Sequence, residues 1–286
     1  MTGLIANAPG AAARESSARS VARLGIVDYA NVAPLHYHLK AGDGVEFVRG
    51  VPTQLNAMLL SGEIDLTLIS SSEFLRHRNE LVALPDFSIA TLGPVYSVAL
   101  FHWRPWDELQ GSRIAVSTDS ATSVALLEVL LRAEGRSAQL VPMEPDLDAM
   151  LAACDGAMLI GDAALSEGVR RRSLGDRQPL FTDLGEAWYA QTRLPFTFAV
   201  WAARKDRPPA ATLVARLRAA REQGLGHLAE VAHTEAERLD LAPNVVQRYL
   251  SNFRYYFEPA DRDGLLAFAE RAVPDFMAKE LEFWDL

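Results

Sequence analysis

The chain has 286 residues, 49% apolar and 23% charged, with a formal net charge of −9 and a single cysteine, Cys154. Length and composition describe a globular protein of one large or two smaller domains. The acidic balance argues against nucleic acid or an anionic membrane as partner, since both call for a basic surface. No apolar run is long enough to cross a bilayer, and one cysteine makes neither an internal disulfide nor a thiolate metal site, which fits a reducing cytoplasm.

Residues 1–20 are small and polar, with no basic leader and no continuous apolar stretch. They are expected to form a disordered tail rather than a secretory signal. From there strand-like and helix-like segments alternate. Arg23–Tyr29 reads as a strand, Pro34–Leu39 as a short helix, Val45–Arg49 as a second strand. Pro52–Leu60 reads as a helix with Pro near its start and Ser61-Gly62 at its end, followed by a buried strand over Leu66–Ile69. Val95–Trp103 is a long apolar and aromatic run. The alternation then restarts, with strands at Ile114–Val116, Gln139–Pro142 and Ala157–Ile160 and helices at Thr122–Glu134 and Asp146–Ala153. Phe196–Ala202 is a second extended run. Beyond Pro208 the pattern is helical, over Ala210–Leu225, Leu228–Leu239, Val245–Phe253 and Arg262–Ala272.

Strand–helix alternation implies βαβ units and mostly parallel sheets flanked by helices. Two such sets predict two α/β lobes, a discontinuous first one over 21–102 plus 199–286 and a second over 103–198. Helix-only sequence after so much alternation should pack back on the first sheet. Ligand should sit between the lobes, outside the carboxyl ends of the strands.

Small hydroxyl residues gather where strands give way to helices. Leu66–Ile69 runs into Ser70, Ser71 and Ser72. Arg113–Val116 runs into Ser117, Thr118, Asp119, Ser120, Ala121, Thr122 and Ser123. Helix N-termini present free backbone N–H groups and a positive dipole end, so these turns are candidate anion sites. Ordinary capping accounts for part of the pattern. Ser70 stands three residues before Glu73, the capping-box spacing, and one hydroxyl suffices for the turn at Ser120–Ser123. Asn31 follows the first strand and can hold a hydroxyl or carboxylate, or cap the helix starting near Pro34. Ser97, polar within Val95–Leu100, bonds backbone across the sheet or points into the cleft. Gly161 and Asp162 follow the strand at Met158–Ile160, where Asp162 caps the next helix or touches ligand. His36 and His38 lie close to Asn31 without a metal-ligand pattern. No phosphate loop, GxSxG turn or HExxH motif is present.

Taken together, YANVAPL (Tyr29–Leu35), SGEIDLTLIS (Ser61–Ser70), GPVYSVAL (Gly93–Leu100), DSATSVALL (Asp119–Leu127), AMLIGDAAL (Ala157–Leu165), DLGEAW (Asp183–Trp188) and LPFTFAVWAARK (Leu194–Lys205) make the sequence resemble the chorismate dehydratases of the futalosine-dependent route to menaquinone. The resemblance implies a type II periplasmic-binding-protein-like fold in a cytoplasmic enzyme. It implies a dicarboxylate substrate, chorismate, with no cofactor and no metal. It also implies catalytic or orienting roles for Asn31 and Ser97, and puts Ser70, Ser71, Ser120, Thr122, Ser123, Gly161 and Asp162 in the expected substrate site. Two positions depart from the family pattern, which has Arg where this chain has Ala121 and Gly where it has Arg193. The alternatives are the sister enzyme that forms 1,4-dihydroxy-6-naphthoate, or a non-catalytic binding protein for a small carboxylate.

Overall fold

The structure is a computed structural model that describes residues 21–42, 44–118, 121–171 and 178–284. The expected tail at 1–20, and Ser120, lie outside the described residues. In chain order the elements are β1 (Ala22–Val27), a 3-10 turn (Ala30–Val32), α1 (Ala33–His36), β2 (Val45–Gly50), α2 (Pro52–Ser61), β3 (Leu66–Ser70), α3 (Ser71–Arg76), β4 (Leu81–Thr91) and β5 (Val98–His102). There follow β6 (Arg113–Ser117), α4 (Ala121–Ala133), β7 (Gln139–Met143), α5 (Leu147–Ala153), β8 (Gly156–Ile160), α6 (Gly161–Arg171), β9 (Leu180–Asp183), α7 (Leu184–Thr192) and β10 (Phe196–Arg204). The chain closes with α8 (Ala211–Gly226), α9 (Leu228–Leu239), α10 (Pro243–Ser251), the two-residue strand β11 (Phe253–Arg254) and α11 (Pro259–Ala272).

Local chemistry explains the boundaries that the sequence marks. Pro52 opens α2, where its missing N–H costs nothing, and Gly62 ends the helix in the left-handed region at φ 76° with its N–H on the Leu59 carbonyl. Asp146 caps α5 by accepting from the Ala149 N–H at 3.0 Å.

The strands form a six-stranded sheet of order β11-β4-β10-β3-β1-β2 and a five-stranded sheet of order β7-β6-β8-β5-β9. Right-handed crossovers through helices predict parallel pairs, and β1 with β2, β1 with β3, β6 with β7 and β6 with β8 are parallel. The alternation alone predicts mostly parallel sheets, yet both are mixed. β10 runs antiparallel to β3 and β4, β11 to β4, and β5 to β8 and β9. Of the added strands, β4, β5, β9 and β10 are the segments that leave for or arrive from the other sheet, and the ordered set of βαβ units does not fix their direction.

The long apolar run Val95–Trp103 is divided in the structure. Val98–His102 pairs on both sides within the five-stranded sheet and is buried throughout, so the chain crosses ahead of Val98 rather than at Trp103. Phe196 already pairs with Thr91 in the six-stranded sheet. β4, with no strand reading in the sequence, is the partner that lets β10 sit inside the sheet.

The larger apolar core reaches both sheets and is built around Phe74, Phe87, Trp188, Phe196, Trp201 and Phe268, while a smaller cluster around Phe101, Met150 and Leu159 packs α5 on the five-stranded sheet. Burying each such side chain contributes about 2–3 kcal/mol. The C-terminal helices return as expected, α8 onto α1, and α11 onto β10, α3 and α4. This return bridges the sheets and holds the carboxyl ends of β1, β3, β6 and β8 toward a common space.

Candidate active site

That space is a cavity of about 720 Å³, counting its open mouth. The ends of β1, β3, β6 and β8 contribute to it. Val27 ends β1 and is followed by Tyr29 and Asn31, Ser70 ends β3, Ala121, Thr122 and Ser123 follow β6, and Ile160 ends β8 with Gly161 opening α6. The first turns of α2 add Pro52, Thr53 and Asn56, and the crossing segment adds Val95 and Ser97. Among the described residues no Asp, Glu, His, Lys or Arg lines it.

Six of the expected site residues, Asn31, Ser70, Ser97, Thr122, Ser123 and Gly161, are therefore brought together. Ser70 stands at the N-cap position of α3 without capping it, so the capping-box expectation fails there. Its Oγ instead receives the Asn56 Nδ2 donor at 3.5 Å, which leaves the Ser70 O–H to point elsewhere. Thr122 Oγ1 accepts the Ser72 N–H at 2.8 Å, linking α3 of one sheet to α4 of the other. Ser97 is buried and donates a long 3.5 Å bond to the Val95 carbonyl, with the Tyr249 phenol beside it. Burial pushes the Tyr249 pKa well up, so that phenol stays neutral.

Two expected contacts are otherwise engaged. Ser71 is fully buried away from the cavity lining, and its hydroxyl donates to the Thr197 carbonyl at 2.6 Å. Asp162 accepts the Ala30 N–H at 3.0 Å and an Arg238 N–H at 2.7 Å, so its carboxylate ties α6 to the segment bearing Asn31 and to α9. Gly161 lines the cavity but spends its N–H on the Ser97 carbonyl at 2.7 Å. Its φ is 59°, and a Cβ there would lie 3.1 Å from the Tyr29 ring, which accounts for glycine.

Three residues outside the expected set matter. Asp183, at 5% exposure, accepts backbone N–H bonds from Val95 and Tyr96 and from Gly185 and Glu186 of α7. Burial pushes its carboxyl pKa up despite those bonds. It pins the turn that delivers Ser97, with Tyr96 in the left-handed region at φ 64°. Asn56 and Tyr249 are the others. A polar Asn on the inner face of an apolar helix, one turn after Pro52, is the signal that marks Asn56. Tyr249, more than 150 positions from Ser97 in the chain, carries no such local signal.

A family profile described as menaquinone biosynthesis matches residues 22–274. The chain belongs to that family. It is 46% identical over 257 residues to a chorismate dehydratase of Thermus thermophilus, an alignment that covers 86% of this chain and 93% of that relative. Among solved structures, a protein of Archaeoglobus fulgidus aligns with TM-score 0.66 and 19% identity, covering 87% of this chain and 96% of that one. The periplasmic aliphatic sulphonate binding protein of Escherichia coli aligns with TM-score 0.65 and 16% identity, over 94% and 93%. The menaquinone-biosynthesis chain thus has the two-lobed periplasmic-binding-protein-like fold, and among the described residues no helix is long and apolar enough to cross a membrane.

The two departures from the family pattern now have places. Ala121 lines the cavity at the first turn of α4. Arg193 does not line it. It holds the left-handed C-cap of α7 at φ 61°, a position that suits glycine, with its guanidinium over the Tyr189 ring. Arg193 therefore supplies no replacement charge to the site.

Proposed function

We propose that this protein removes water from chorismate to give 3-[(1-carboxyvinyl)oxy]benzoate. The observation that carries this is the 46% identity to a chorismate dehydratase along 93% of that relative. The cavity suits the chemistry. Chorismate is a dianion, and the first turn of α4 with the hydroxyls of Ser70 and Thr122 offers neutral donors to a carboxylate. The proton on C3 leaves to the substrate's own enolpyruvyl carboxylate. The electron pair spreads through the ring diene onto the ring carboxylate as an enolate, which the α4 turn stabilises. It returns to expel the C4 hydroxyl as hydroxide, which takes up the proton and departs as water, leaving an aromatic ring. The uncharged lining of the described cavity supports this substrate-assisted route over a protein base.

In this reading Ser97 and Asn31 orient the enolpyruvyl side chain and the leaving hydroxyl. The lobes divide between Thr91 and Val98 and between Asp183 and Phe196, and they close on the substrate to exclude water. A small dianionic substrate and the buried, unpaired Cys154 support a cytoplasmic role without nucleic-acid partners. Incubating the protein with chorismate and following the benzoate product by ultraviolet absorbance and mass tests the proposal. Loss of one water is expected. Chorismate bound but unchanged would leave only a binding protein. Ser97→Ala and Asn31→Ala should each lower kcat/KM by about tenfold to a hundredfold, the effect of one lost hydrogen bond to a charged group.

A further inference from the structure

Asn56 lies on α2 with its side chain in the cavity lining and only 4% of its surface exposed. Its amide is oriented, because Nδ2 donates to Ser70 Oγ at 3.5 Å. Its Oδ1 is buried with no hydrogen-bond partner among the described residues. A buried carbonyl oxygen without a donor is costly, and a ligand that supplies the donor removes that cost.

Chorismate at neutral pH carries two carboxylates and an ether oxygen, all acceptors, and one neutral donor, the C4 hydroxyl. A buried, unpartnered acceptor on a side chain that lines this cavity therefore matches one atom of the substrate. Asn31 Oδ1 is also unpartnered. The Asn31 side chain, however, has no hydrogen bond among the described residues to fix its orientation, so it can turn its amide donor toward a carboxylate, whereas the Asn56 amide is held by its contact with Ser70.

Accordingly, we infer that Asn56 Oδ1 accepts the hydrogen bond of the C4 hydroxyl and is the specificity-determining residue for the leaving group. Chorismate being the substrate is a premise of this assignment. The assigned contact has a direct consequence for turnover. The product has lost that hydroxyl, so it leaves Asn56 Oδ1 unpaired again and is held less tightly than the substrate. Sites built to bond a hydroxyl reject the analogue lacking it far more strongly than apolar pockets reject a missing methylene.

The test compares kcat/KM for chorismate with the inhibition constant of purified benzoate product, in wild type, Asn56→Ala and the near-isosteric Asn56→Leu. In both variants kcat/KM for chorismate should fall by about tenfold to a hundredfold, while product inhibition stays within about twofold or tightens. A scaffold role for Asn56 would weaken substrate and product by the same factor, and that result, or no change in either, overturns the assignment. Wild type gives a reading that needs no variant. Its product inhibition constant should exceed KM for chorismate by at least about tenfold, and equal values also overturn the assignment. A wild-type protein that leaves chorismate untouched refutes the proposed function instead, so the two failures are distinct.

Discussion

Asp183 is the residue whose replacement tests how the site is held. Its Oδ1 accepts the Val95, Gly185 and Glu186 N–H groups at 2.9–3.0 Å, and its Oδ2 accepts Val95 at 3.0 Å and Tyr96 at 2.6 Å. Asp183→Asn keeps the oxygen that caps α7 and places an NH2 group against the Tyr96 N–H, donor facing donor. A hydrogen bond to a charged group contributes about 1.5–3 kcal/mol. Tyr96 also stores about 1 kcal/mol or more of backbone strain in its left-handed conformation, which that bond maintains. The Asn variant should lose about 2–3 kcal/mol of unfolding free energy and stay folded, since a domain of this kind has about 5–15 kcal/mol in hand. Asp183→Ala strands every donor and removes the cap, so it should lose about 4–6 kcal/mol. Because Tyr96 precedes Ser97, the Asn variant should also lose about thirtyfold or more in kcat/KM if 2–3 kcal/mol of alignment is carried into the transition state. Urea unfolding and steady-state turnover of chorismate, measured on the same preparation, give both numbers. An Asn variant within about 0.5 kcal/mol and twofold of wild type refutes the view that this carboxylate places Ser97.

Asp162→Ala removes the acceptor for Ala30 and the pair with Arg238, whose side chain is 44% exposed and so contributes little by itself. The Ala30 bond dominates, and KM for chorismate should rise about tenfold or more, while Asp162→Asn, which retains an acceptor, stays within about threefold; equal effects of the two variants would show that charge rather than the backbone bond closes the site. His36 has its pKa lowered to about 4 by burial and by the nearby Arg49. The folded imidazole is neutral where the unfolded one, near 6.5, binds a proton, so stability falls as pH drops from 6.5 toward 4. The loss at pH 4.5 should be about 2.5 kcal/mol relative to pH 7, and denaturant unfolding of His36→Gln at both pH values should show that part of the pH dependence gone.

How much of this was legible in the chain depends on whether the signal is local. Pro52 and Gly62 mark α2 because helix ends are punctuated by backbone chemistry that neighbouring residues supply. The strand-to-hydroxyl turns at Ser70 and at Thr122–Ser123 face the cavity as expected, since a parallel strand delivers its carboxyl end there whatever the rest of the fold does. Which hydroxyl is spent on structure was not legible. Ser71 and Ser70 are neighbours of the same type, and only the approach of β10 decides that Ser71 bonds the Thr197 carbonyl while Ser70 remains at the cavity. Asp162 looked like a cap because its partners, Ala30 and Arg238, are 132 and 76 positions away. β4 carries no local strand signal because a strand buried on both faces shows no alternation, and Pro85-Asp86 in its middle reads as a turn.

An acidic protein that takes up a dianion without a lining cation, among its described residues, must rely on donors that are already aimed. A buried Arg would offer more Coulomb attraction but would also demand a partner when the site is empty. Neutral donors carry no such penalty, and they keep their strength only while held in place and out of water. The donors around this cavity divide accordingly. The Gly161 and Ser72 N–H groups and the Ser71 hydroxyl are consumed in bonds that join one part of the chain to another, the Gly161 bond within the five-stranded sheet and the Ser72 bond between the sheets. Thr122, which accepts from Ser72, and Ser70, which accepts from Asn56, each have an O–H left to give at the cavity. In the proposed reading, closure and anion recognition therefore share the same turns. A motion that parts α3 from α4 would remove the Thr122 bond and turn its remaining donor at once, so the proposal predicts tight binding only when the site is shut.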